Sequence, residues 1–158
     1  MEDGGSKILY SIGYGNSAPD DFVAKLKDAG VTVVLDVRRK GSRSWNGKYN
    51  HGLAMEKLMS GSDIKYGNWD SLGNKYGTLA DYCIWLGGKR PQKTLYALAK
   101  CVDWGKRVDT YCLLCAEGNP YEGHGMVGGA PVVRCHRVYV AEGLVEQLGD
   151  GWTIEHLR

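Results

Sequence analysis

The sequence predicts a single α/β domain over residues 1–158, a three-layer sandwich around a mostly parallel, Rossmann-like sheet. Three observations predict it. Near the N-terminus a strand, a helix and a second strand follow one another within residues 7–37, the pattern of a βαβ unit with parallel strands and a right-handed crossover. The second strand, Val31-Thr32-Val33-Val34-Leu35-Asp36-Val37, is almost continuously apolar, as a strand covered on both faces is. The strand-like runs also end abruptly in polar, glycine-rich loops, where open α/β sheets place their ligands.

Lys7-Ile8-Leu9-Tyr10-Ser11-Ile12 reads as the first strand, stopped by Gly13-Tyr14-Gly15-Asn16. Ser17 is the expected cap of the first helix, with Pro19 in its first turn and Asp20 and Asp21 facing the positive end of the helix dipole. Phe22, Val23, Leu26 and Ala29 recur at helical spacing and Gly30 ends the run. Residues 51–60 read as a helix and Ile64-Lys65-Tyr66 as a short strand. Thr78 is expected to cap a helix through Leu79, Tyr82, Cys83 and Trp85, and Pro91 to sit in the first turn of another through Leu95, Leu98, Ala99 and Val102. A strand is expected over Val108–Cys115, a long glycine-rich loop over 117–130, a helix over 132–148 opened by Pro131, and a last strand over 153–157.

Bulk composition bounds the function. A chain of 158 residues with 43% hydrophobic residues supports one well-packed core. With 20 basic and 18 acidic residues the net charge is +2, so a nucleic-acid partner has to be argued from a local patch. No apolar run approaches the roughly 20 residues of a membrane span, and Met1-Glu2-Asp3-Gly4-Gly5-Ser6 lacks the character of a secretory leader. A soluble cytoplasmic protein without membrane association is expected. Five cysteines, an odd number, favour reduced thiols over a disulfide framework. The aromatics are 10 Tyr and 5 Trp against 1 Phe, rings that either half-bury or stack on bases and sugars.

The candidate chemistry falls on three segments. Residues 38–48 hold five Lys or Arg with Trp45 and Tyr49 interleaved, which suits a phosphate-bearing ligand or a solvated surface loop equally. Asp36 and Glu117, each at a strand end, form a possible carboxylate pair, with Glu117 partly desolvated as proton carrier and Asp36 held ionised beside Arg38. Alternatively Asp36 and Arg38 are a buried ion pair tying strand to loop. Arg38, Arg43 and Arg137 are candidates for clamping a phosphate. Cys115 or Cys135, activated by arginines and a helix N-terminus, is a candidate nucleophile. Cys112-x-x-Cys115 with Cys135-His136 can be written as a zinc set, but residues three apart on a strand face opposite ways, so neither metal nor cofactor is expected.

Ser11-Ile12-Gly13-Tyr14-Gly15-Asn16, Leu35-Asp36-Val37-Arg38, Gly41-Ser42-Arg43, Tyr49-Asn50, Leu114-Cys115-Ala116-Glu117 and Cys135-His136-Arg137 follow one another across nearly the whole chain. In that order they resemble the family catalogued as domain of unknown function 488. There the first motif usually reads Thr-Ile-Gly-His-Ser-Asn, so Tyr14 stands where a histidine is usual. The resemblance implies the α/β fold and a site at the carboxyl edge of the sheet. Glu117, Asp36, Cys115 and Cys135 are then its catalytic candidates, and Tyr14, Asn16, Arg38, Arg43, Tyr49, Asn50, His136 and Arg137 its substrate-binding ones. The expected activity is processing of a nucleotide or nucleic acid by N-glycosidic or phosphoester hydrolysis. A non-catalytic binding module is the first alternative. Asp36-Val37-Arg38 and Cys115-Ala116-Glu117-Gly118 also look faintly like a rhodanese, without the usual arginine at Pro120, which makes thiol chemistry the second.

Overall fold

A computed structural model describes residues 7–158 except 77, 119, 128, 129 and 134, and the backbone alone of 122–127 and 130–132. The leader expectation on Met1–Ser6 lies outside the described residues. Five strands, β1 (Lys7–Gly13), β2 (Val33–Asp36), β3 (Lys65–Asn68), β4 (Tyr111–Cys115) and β7 (Trp152–His156), form one sheet in the order β3-β2-β4-β1-β7. Every pairing in it is parallel. A separate antiparallel pair, β5 (Tyr121–Val127) with β6 (Ala130–Val133), stands between β4 and the last helix in sequence. No helix among the described residues is long and apolar enough to cross a membrane.

Helices cover both faces of the sheet. On one face α1 (Pro19–Asp28) and α2 (Leu53–Ser60) bring Phe22, Leu26, Met55 and Met59 against Ile12, Val34, Cys112 and Leu114. On the other, α3 (Leu79–Leu86), α4 (Lys89–Gly105) and α5 (Arg137–Leu148) bring Tyr82, Leu95, Leu98, Val102, Val140 and Leu144 against Leu9, Val33, Leu35 and Leu113. The strand residues divide by alternate position, as the period of two requires. This is the three-layer arrangement that the continuous apolar run of β2 predicts.

Local chemistry explains most boundaries, and several expectations are corrected. Thr78 caps α3 by accepting the Asp81 N–H at 3.1 Å. The first helix is not capped by Ser17: Ala18 holds that place without a side-chain bond, while Ser17 Oγ accepts from Lys25 Nζ at 3.2 Å and its carbonyl from Tyr49 Oη at 2.7 Å. Strand β4 begins at Tyr111, because Thr110 is drawn into paired hydrogen bonds with Thr32. The expected loop over 117–130 contains a strand and the start of a second. Pro131 lies in β6 and the helix begins only at Arg137.

The connectivity fixes where a ligand site belongs. After β1 the chain crosses through α1, on one face, to β2. After β4 it crosses through α5, on the other face, to β7. Strands β1 and β4 are neighbours whose connections leave in opposite directions, so a crevice opens at their carboxyl ends. Gly13 and Cys115 are paired there.

Candidate functional site

Cys115 ends β4 with its side chain on the α5 face, three residues on from Cys112, which packs on the α1 face among Ile12, Phe22 and Leu26. Its Sγ lies 2.7 Å from Cys135 Sγ and 3.6 Å from His136 Nδ1. Cys135 Sγ is 3.9 Å from the same nitrogen. The His136 ring is held by its far side: Nε2–H donates to the Val37 carbonyl at 2.8 Å, and Tyr82 sits edge-on at 5.2 Å. With the proton fixed on Nε2, Nδ1 presents a lone pair to the two thiols. All five cysteines are free thiols.

Arg137 follows His136 and is fully buried. Its Nε–H donates to Ser11 Oγ at 2.9 Å and Nη1 to the Glu117 carbonyl, while Nη2 is buried without a hydrogen-bond partner among the described residues. The Ser11 hydroxyl then donates to His156 Nδ1 at 2.5 Å. Burial, with Arg137 and Arg158 nearby, pushes His156 down to about 4, so its ring is the neutral acceptor this chain of bonds needs. No ion pair between Arg137 and a carboxylate occurs among the described residues. A buried guanidinium with no carboxylate partner among the described residues favours a negative charge nearby.

Cys115 is a nearby group that Arg137 favours in its anionic form. The Cys135 S–H donating to it lowers the Cys115 thiol from its ordinary value; burial opposes the shift, and Arg137 with the Ala116 and Glu117 N–H groups adds to it. Cys135 moves the other way, raised by its bond to Cys115 and then by burial, so Cys115 is the more readily ionised of the two. Cys112, buried in the opposite layer, is raised by desolvation.

The strand-end residues nearer the N-terminus form a second cluster, on the α1 face. Asp36 is 0% exposed and Arg38 3%. Arg38 grips the carboxylate with Nε–Oδ1 at 2.9 Å and Nη2–Oδ2 at 2.8 Å, and its own N–H adds a bond to Oδ1 at 3.1 Å. Tyr66 Oη donates to Oδ2 at 2.5 Å. Arg38 Nη1 donates to the Tyr49 carbonyl at 2.6 Å, and Tyr14 stacks on Tyr49 at 4.6 Å with the guanidinium over its ring. Asn50 Oδ1 accepts the Ser44 N–H at 2.8 Å, which shapes the loop from inside.

Set against protein-family models, curated proteins and solved structures, the chain matches none of them. The candidate residues therefore have to be weighed on their own geometry. Cys115, Cys135, His136 and Arg137 come together. Asp36, Arg38, Tyr14 and Tyr49 also come together, but across the sheet from the thiols, so the one site expected at the carboxyl edge is divided into two clusters. The buried ion pair is the reading of Asp36 and Arg38 that the geometry favours, since Arg38 and Tyr66 occupy the carboxylate oxygens. Glu117 is exposed, against the expected desolvation, and contributes its carbonyl to Arg137. Asn16 and Arg43 are exposed on the surface. The hollows along Glu56, Ser60 and Lys65 and along Cys101 and Trp104 lie by the amino ends of β3 and β4, away from these groups.

Ser11, Gly13 and His156 belong to the thiol cluster, and the sequence alone assigns them no role in it. Ser11 carries the one available signal, a polar residue inside an apolar strand. Gly13 is required by space: a Cβ there falls 1.6 Å from the Glu117 carbonyl oxygen and 2.8 Å from Arg137 Nη1.

Proposed function

We propose that the chain is a thiol-dependent enzyme in which Cys115 attacks an electrophilic substrate atom at the carboxyl edge of the sheet. The observation that carries this reading is the setting of Cys115 Sγ: the Cys135 thiol 2.7 Å away, and a buried Arg137 with an unpartnered nitrogen. His136 Nδ1 accepts the proton released when the thiol ionises, and the Val37 carbonyl holds the imidazole in that tautomer. Thiol chemistry is favoured over carboxylate-based hydrolysis of nucleotides, which is left with Glu117 alone once Asp36 is tied to Arg38. The likeness to domain of unknown function 488 rests on its sequence anchors and is compatible with a site at this edge.

Thiolate ultraviolet absorbance, measured against pH as wild type minus Cys115→Ser, tests the reading without requiring a reagent to reach the sulfur. The difference signal is expected to be present at neutral pH and to disappear well below the ordinary cysteine pKa of about 8.5. A signal that develops only above that value removes Cys115 as nucleophile.

A second reading concerns the loop between β2 and α2, where Arg39, Lys40, Arg43 and Lys48 are exposed and Trp45 is 85% exposed. Cations around a free indole suit a polyanion, nucleic acid first, with bases stacking on the ring. Reversing the charges of Arg39, Lys40 and Lys48 is expected to weaken binding of a single-stranded oligonucleotide. The slope of log affinity against log salt should fall by about 2, at roughly 0.7 per lost contact. Unchanged anisotropy titrations would remove this surface.

A further inference from the structure

The pairing of Cys115 with Cys135 carries one step more, which rests on the thiol reading above. We infer that Cys135 is a resolving thiol and that the two cysteines reduce a small hydroperoxide, closing a Cys115–Cys135 disulfide in each turnover. Their sulfurs lie 2.7 Å apart, within a small side-chain shift of the roughly 2.05 Å of an S–S bond. Cys112, the cysteine nearest to Cys115 in sequence, is excluded because it packs on the opposite face of the sheet. Cys115 is 5% exposed and Cys135 3%, a burial that favours a compact electrophile such as hydrogen peroxide over a bulky one.

The chemistry balances in two steps. Cys115 thiolate attacks the distal peroxide oxygen; the S–O bond forms as the O–O bond breaks, and the departing oxygen takes the proton that His136 Nδ1 received from the thiol. Cys135 sulfur then attacks the Cys115 sulfenic acid; the S–S bond forms, the S–O bond breaks, and hydroxide leaves as water with the Cys135 proton. His136 Nδ1, 3.9 Å from Cys135 Sγ, is placed to relay that proton. Two thiols are oxidised, and the peroxide is reduced to an alcohol and one water, or, from hydrogen peroxide, to two waters. A dithiol reductant restores the pair.

The same three side chains bring their donor atoms within 4.8 Å of one another, a spacing a soft metal ion can use. Two observations favour the redox pair. Thiolates bound to one zinc through bonds of about 2.3 Å stand roughly 3.8 Å apart in a tetrahedral site, so this pair would have to open by about an ångström. Arg137, buried and with no carboxylate paired to it among the described residues, also repels a second cation.

The test uses the full chain, reduced and then treated with one equivalent of hydrogen peroxide. Intact mass is expected to fall by two hydrogens, with peptide mapping locating a Cys115–Cys135 disulfide that dithiothreitol reverses. In Cys135→Ser, whose hydroxyl can still donate to Cys115, Cys115 is expected to stop at a sulfenic acid, read as one added oxygen in the intact mass and trapped when the protein is unfolded in the presence of dimedone, an adduct absent from wild type. Cys115→Ser should leave Cys135 unoxidised. Over-oxidation of Cys115 in wild type without a disulfide overturns the resolving role. So does peroxide inertness combined with the neutral-pH thiolate signal, an outcome that leaves the nucleophile reading intact. Inertness without that signal overturns both. Zinc retained stoichiometrically by the purified protein and released on blocking these thiols overturns the redox pair in favour of a metal site.

Discussion

Asp36→Asn is expected to destabilise the protein by about 3–5 kcal/mol, because it removes the charge and leaves Arg38 buried without a counter-ion. Asparagine fills the same space, so the loss is electrostatic and not a packing defect. Burial works against the Arg38 cation, and Asp36 more than restores it through the hydrogen bond and the charge. The replacement also points amide hydrogens at a guanidinium, where a carboxylate oxygen accepts at 2.8 Å in the native protein. Urea unfolding reads the effect as a lower midpoint at unchanged slope. The double variant Asp36→Asn, Arg38→Met is expected to recover much of the loss, since removing both members of a buried pair is often close to neutral. The Cys115 thiolate signal should persist in the single variant under conditions where it is folded, because the two clusters lie on opposite faces of the sheet. A single variant as stable as wild type would mean that this pair is open to water.

How much of this was legible in the sequence depends on the kind of information each element carries. Strand β2 and helices α1 and α4 announce themselves by apolar runs and by residues at helical spacing, and these set the fold class. The pair β5 and β6 does not, because Gly123 and Gly125 interrupt the alternation in Tyr121–Val127 and glycine is depleted in strands. Pro131 misled for a related reason. Proline suits a first helical turn, but it also suits a strand bonded on one side only, and among the described residues β6 pairs with β5 alone.

The site was legible in its residue types and not in its division. Asp36 and Cys115 both end parallel strands next to each other, so sequence places them at one edge. The register then decides the face: Asp36 stands beside Leu114, not Cys115, and with a period of two that single position sends the carboxylate to the α1 side and the thiol to the α5 side. No local signal encodes a register between strands so far apart in the chain. The sequence pattern also cannot show that Arg38 and Arg137, alike in charge, have different surroundings, one clasping a carboxylate and the other left with a thiol, a hydroxyl and a carbonyl.

Gly13→Ala is expected to be the most damaging small substitution in the site. Gly13 ends β1 opposite Cys115, and the Cβ it lacks would fall 1.6 Å from the Glu117 carbonyl oxygen. That neighbour is backbone, held in turn by Arg137 Nη1, so it cannot swing aside as a flexible side chain would. Relief requires the turn after β4 to move away from β1, which disrupts the Gly15 N–H bond to the Ala116 carbonyl at 2.8 Å and leaves Arg137 with a second unmade bond. Overpacking of this kind reaches about 3 kcal/mol, and a buried guanidinium losing an acceptor adds to it. Gly30→Ala is the comparison: a Cβ there meets nothing within 4 Å, so only its positive φ of +78° counts, at about 1–2 kcal/mol. Unfolding midpoints should therefore rank wild type above Gly30→Ala and Gly30→Ala above Gly13→Ala. Only Gly13→Ala should also shift the pH at which the Cys115 thiolate signal appears, upward, as Arg137 and the turn carrying the Ala116 and Glu117 N–H groups are displaced from the sulfur. Equal midpoints for the two alanine variants would place the turn after β4 farther from β1 than the close packing at Gly13 requires.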